Sequence, residues 1–120
     1  MNNAENKISI IYPSYNGENV IFNNLKSVEN LNNINEIKLI IVDNNSSDST
    51  IQIIKSFKNL DISLIEKKQN LGFARACNLA VSKSKSEFIF ITNQDVDFPR
   101  DFFEVLLNLY QKIKKSEDII

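Results

Sequence analysis

Histidine is missing altogether from these 120 residues. That excludes Ser-His and Cys-His nucleophile pairs and any metal centre held by imidazole. Glycine is scarce, with only Gly17 and Gly72. Neither GxGxxG nor GxxxxGK can be written, so no glycine-rich loop cradles a phosphate. A single cysteine, Cys77, excludes a disulfide framework and a CxxC zinc site and reads as a small buried hydrophobe. No apolar run approaches the length of a membrane span, and the opening MNNAENK lacks the apolar core of a signal peptide. A cytoplasmic location is expected. No basic block stands out either: 14 Lys and Arg meet 15 Asp and Glu, for a net charge of −1. Nucleic acid is therefore not an expected partner.

What is present suits one globular domain, with 42% hydrophobic residues. Residues 7–12 and 37–42 read as buried strands, the second a nearly continuous β-branched run expected where both faces of a sheet are covered. Residues 62–65 and 87–92 read as two more strands. Between them lie helical patterns. Residues 16–31 carry Ile21, Leu25 and Val28 on one face, and a second helix capped by Ser47 or Asp48 carries Ile51, Ile54 and Phe57. Residues 72–83 place Phe73, Cys77 and Ala80 toward a core, with Arg75, Asn78 and Ser82 on a polar side. Pro99 suits the first turn of a last helix, whose apolar stripe is Phe102, Leu106, Leu109, Tyr110 and Ile113. The order β-α-β-α-β-α-β-α predicts an α/β fold: a three-layer, Rossmann-like arrangement with a mostly parallel sheet of about four strands and flanking helices.

Each strand runs into a polar cluster, and ligands of such sheets bind outside the carboxyl ends of the strands. After Thr92, an extended segment would put Asn93, Asp95 and Asp97 on one side. Carboxylates so spaced suit a hard divalent cation that shares its shell with diphosphate oxygens. Asp97 serves equally well as a helix cap. Asp43 ends the most buried strand, where it either accepts from a base or ribose or satisfies the Asn44-Asn45-Ser46-Ser47 turn; alone, the turn explains it better. Tyr15, after Pro13, either stacks on a base or packs over the sheet edge. Gly72 lets backbone approach a ligand, and Arg75 either meets an anion or is solvated.

Taken in order, strand-PSYNGE, strand-VDNNSSDST, NLGFARACN and strand-NQDVDF resemble the nucleotide-binding half of family 2 glycosyltransferases of the GT-A fold, from about Ile8 to Ile113. The resemblance implies that Pro13, Tyr15 and Glu18 lie at the nucleotide, with Tyr15 stacking on the base. Asp43 and Asn44 would contact base or ribose, and Asn44 stands where many relatives carry a second aspartate. The segment Asn70 to Asn78 would close over the nucleotide, giving Gly72 and Arg75 a site role. The family's DxD motif matches Asn93-Gln94-Asp95, with Asp95 as metal ligand and Asn93 as a ribose or sugar contact. Asp95-Val96-Asp97 is also literally DxD, which would add Asp97 as a ligand.

The implied activity is transfer of a sugar from a UDP- or dTDP-linked donor to a glycan or lipid-linked acceptor, with inversion and with Mn2+ or Mg2+. Peripheral membrane association of a full-length protein is part of that expectation. No residue here matches the family's acidic general base, which is expected beyond residue 120; residues 1–120 are thus expected to be the donor-binding portion of one incomplete domain. The alternative is a non-catalytic nucleotide- or partner-binding α/β module. A phosphoacceptor domain would need an acidic pair after the first strand, where Pro13-Ser14-Tyr15 stands.

Overall fold

The computed structural model describes residues 6–115. Strands β1 (Ile8–Ser14), β2 (Ile37–Asp43), β3 (Ile62–Glu66) and β4 (Phe88–Ile91) alternate with helices α1 (Ile21–Glu29), α2 (Thr50–Lys55), α3 (Phe73–Lys83) and α4 (Phe102–Lys114). A 3-10 turn at Ile34–Glu36 precedes β2. The sheet order is β3-β2-β1-β4, and every pair is parallel. The order reverses between β1 and β4, so the crevice of a doubly wound sheet opens above the ends of those two strands.

Period-two alternation divides the core. Ile8, Ile10 and Tyr12 of β1 and Ile37, Leu39 and Ile41 of β2 pack against Ile21 and Leu25 of α1, Ile54 of α2 and Phe103 of α4. On the other face Ile11, Ile40 and Val42 meet Ala76 and Ala80 of α3, whose small side chains let the helix sit close to the sheet. The α/β, three-layer expectation holds, with the described sheet wholly parallel.

Several boundaries differ from those expected. Pro13 does not stop β1, because the last β1–β4 pair is Ile11↔Ile91 and a missing amide at 13 interrupts no ladder there. Helix α1 begins at Ile21 rather than Asn16: Asn16 has φ 43°, and the amides of Val20 and Ile21 both donate to the Gly17 carbonyl in a tight turn. Pro99 lies ahead of α4, in a turn where its carbonyl accepts from the Phe102 amide. Phe73, read as core, is exposed at the start of α3. The stripe on α4 is also turned. Phe103 is the buried contact, with Phe102 and Leu107 packed beside it, while Leu106, Leu109, Tyr110 and Ile113 are exposed. These four line a groove of about 270 Å³ with Phe88 and Phe90 of β4.

Candidate functional site

Two loops, after β1 and after β2, are interlocked by their own polar side chains. The Ser14 hydroxyl donates to Asp43 Oδ1 at 2.6 Å, and the Ser46 hydroxyl donates to the same oxygen at 2.7 Å. Asp43 Oδ2 accepts from the Ser46 amide at 2.8 Å. Fully buried, Asp43 is thus spent on joining the two strand ends. Asn16 Oδ1 accepts from the Ser47 amide, and the Gly17 amide donates to the Thr50 hydroxyl. Glu18 accepts from the Ser49 amide, while Asp48 accepts from the Glu18 amide and from the amide and hydroxyl of Thr50. Burial raises the Asp48 pKa, but these hydrogen bonds outweigh it and hold the carboxyl below its ordinary value of 3.8. Asp48 thereby takes over the start of α2, whose N-cap residue, Ser49, makes no side-chain cap bond.

Above this base lies a cleft of about 510 Å³ formed by residues from all four strand ends. The loop after β1 gives Pro13, Tyr15 and Val20, and β2 is followed by Asn44. Asn70, Gly72 and Phe73 come after β3, and Asn93, Gln94 and Asp95 after β4. Asn44 is buried and holds the third segment: its Oδ1 accepts from the Leu71 amide at 3.0 Å, and its Nδ2 donates to the Gly72 carbonyl at 3.3 Å. Gly72 has φ 82° and ψ 174°, a conformation essentially closed to residues with a Cβ. A Cβ there would meet nothing within 4 Å, so the backbone and not close packing calls for glycine.

The segment after β4 is hung from β1 and α1. The buried Tyr12 hydroxyl donates to Asn24 Oδ1 at 2.7 Å, and Asn24 Nδ2 donates to the Val96 carbonyl at 2.6 Å. Burial drives the Tyr12 phenol far above its usual pKa of 10, which keeps the donor proton in place. The Phe98 amide donates to the Ser27 hydroxyl at 3.0 Å. Gln94 Oε1 accepts from the Tyr15 amide at 3.0 Å, and Gln94 Nε2 donates to the Tyr15 carbonyl at 3.1 Å.

Of the residues singled out in the sequence, Pro13, Tyr15, Asn44, Asn70, Gly72, Asn93 and Asp95 line this one cleft. Glu18 and Asp43 do not: their carboxylates serve the β1–β2 loop junction. Arg75 is exposed on α3, outside the lining. Asp97 is exposed but outside the lining too, because the chain turns at Gln94-Asp95 instead of staying extended. Nor does Asp97 cap α4, whose N-cap position is Asp101. Val20, Phe73 and Gln94 line the cleft without having been anticipated. Phe73 is the first residue of α3, where a side chain can lie off the packed face. Nothing local marks the other two.

The lining contains no lysine or arginine and one carboxylate, Asp95. Among the described residues no group of three or more Cys, Asp or Glu side chains is placed to enclose an ion. One carboxylate leaves a hard divalent cation to draw most of its shell from other oxygen ligands.

The match to the family profile described as Glycosyl transferase family 2 runs over residues 9–116. The minor teichoic acid biosynthesis protein GgaA of Bacillus subtilis is 35% identical over 108 residues, which are 85% of this chain and 24% of that protein. The chain thus spans about a quarter of that relative's length. Staphylococcus aureus TarS 1-349 in complex with UDP-GlcNAc superposes with a TM-score of 0.85 at 24% identity, over 90% of this chain and 32% of that one. The mannosyltransferase PcManGT of Pyrobaculum calidifontis, in complex with GDP-Man and Mn2+, superposes with a TM-score of 0.73 at 25% identity, over 82% of this chain and 30% of that one. With its four strand ends around one cleft and a profile match over nearly its whole length, this chain belongs to glycosyltransferase family 2 and has the GT-A fold.

Proposed function

We propose that this chain is the donor-binding part of a glycosyltransferase that moves a sugar from a nucleoside diphosphate to a glycan or lipid-linked acceptor, inverting the anomeric centre. The observation that carries this reading is the single cleft in which Tyr15, Asn44, Asn93 and Asp95 meet from strand ends far apart in sequence. Tyr15, half exposed at the rim, offers a ring face to a base. Asn70 and Asn93 offer amide donors and acceptors to ribose or sugar. Asp95 would hold Mn2+ or Mg2+. A cation so held neutralises charge on a departing diphosphate, a task for which the cleft offers no basic side chain. With Asp95 assigned to the cation, no second carboxylate of the lining is free to deprotonate an acceptor hydroxyl. On this reading the general base therefore lies outside these lining residues.

Thermal unfolding tests the donor site. UDP or dTDP near a hundred times its Kd, with Mn2+, should add about 2.7 kcal/mol and raise Tm by roughly 10 °C or more. Asp95→Ala should lose the Mn2+-dependent part of that shift. An unchanged shift in Asp95→Ala would remove the metal assignment, and no shift with any nucleotide would remove the donor site.

A further inference from the structure

The geometry points to Gln94 as a positioning residue that locks the base-facing loop to the cation-facing segment, so that the two ends of the bound nucleotide are held in one register. The inference rests on the donor-site reading above. The Gln94 side-chain amide satisfies both backbone groups of Tyr15, accepting from its N–H at 3.0 Å and donating to its C=O at 3.1 Å. This is the pattern of a strand partner, supplied by a side chain where the β1–β4 ladder has already ended at Ile91. Gln94 lies between Asn93 and Asp95, and all three line the cleft with Tyr15. Movement of the loop after β1 is thus transmitted to the carboxylate that would face the diphosphate.

A second residue makes this pairing possible. A Cβ on Gly17 would lie 2.3 Å from Gln94 Oε1 and 2.6 Å from its Cδ. Gly17 lacks the positive φ of Gly72. Alanine is therefore acceptable to the backbone at 17, and its cost falls on the Gln94 side chain, which must leave its place on Tyr15. Sequence spacing offers no hint of this: 77 positions separate the two residues, and glycine at 17 reads as an ordinary turn.

The readout is the ratio of nucleotide affinity with Mn2+ to affinity without it, measured by calorimetric titration of UDP, dTDP or GDP, whichever binds. In the unaltered chain the ratio should be well above one. Gln94→Ala and Gly17→Ala should each lower it about tenfold, the scale of losing a pair of neutral hydrogen bonds. The double variant should fall no further than either single one, because both remove the same contact. A merely structural role would weaken binding with and without Mn2+ by the same factor and leave the ratio unchanged. An unchanged ratio in both single variants overturns the inference while leaving the donor site standing. Absence of nucleotide binding by the unaltered chain removes the donor site and this inference together.

Discussion

At the scale of single residues, the polar side chains divide into those that build the cleft floor and those that face the cleft. Asp43, Asp48, Glu18 and Asn16 spend their oxygens on neighbouring loops. Tyr15, Asn93 and Asp95 face outward from the lining. The two groups are indistinguishable by residue type, because a carboxylate at a strand end suits either task; the turn role that the residues around Asp43 favour is the one its hydrogen bonds show. Asp48 belongs to the first group, and its depressed pKa gives it a pH signature. Its contribution is present above 3.8 and disappears as pH falls through the lower folded value. The urea midpoint of Asp48→Asn should therefore lie below that of the unaltered chain at about pH 7 and approach it at about pH 3. An equal gap at both pH values would assign the loss to something other than the carboxylate charge. Gly72 stands apart because its constraint is in the backbone. Gly72→Ala should cost about 1–3 kcal/mol in chemical denaturation. A cost near zero would mean that the loop adopts another conformation.

At the scale of elements, hydrophobic periodicity locates the four strands and four α-helices of the described residues, since both periods are direct consequences of backbone geometry. It did not find which face of α4 is buried. An apolar stripe marks a face that avoids water, and α4 has apolar residues around much of its circumference: Phe103 is buried while Val105, Leu106 and Leu109 are exposed. Phe103 wins the sheet side because its ring meets Phe90 edge-on at 5.1 Å and packs on Phe98 at 5.2 Å. Phe103→Ala should accordingly cost about 3–5 kcal/mol, whereas Leu109→Ala should stay within about 0.5 kcal/mol. Urea denaturation of the two variants measures the difference, and equal costs would contradict the orientation of the helix. The start of α1 was misplaced for a related reason. Local pattern favours helix from Asn16, but Asn16 and Gly17 are bound across to Ser47 and Thr50, contacts of long sequence separation that no local signal carries.

At the scale of the whole molecule, a doubly wound sheet brings four polar strand ends to one side, and their convergence could be anticipated from element order alone. What element order cannot supply is the width of the cleft and the tilt of its walls. Those follow from side-chain amides acting as backbone partners: Asn44 on residues 71 and 72, Gln94 on Tyr15, and Asn24 on Val96. Asparagine and glutamine thus have a structural use at these positions. On the proposed reading a nucleoside diphosphate enters this cleft and not the apolar groove beside α4. Amide chemical-shift mapping of the 15N-labelled chain titrated with UDP, dTDP or GDP in the presence of Mg2+ distinguishes the two. Perturbations should concentrate at Tyr15, Asn44, Gly72, Gln94 and Asp95. Perturbations centred on Phe88, Leu106 and Tyr110, or none with any of the three nucleotides, would contradict it.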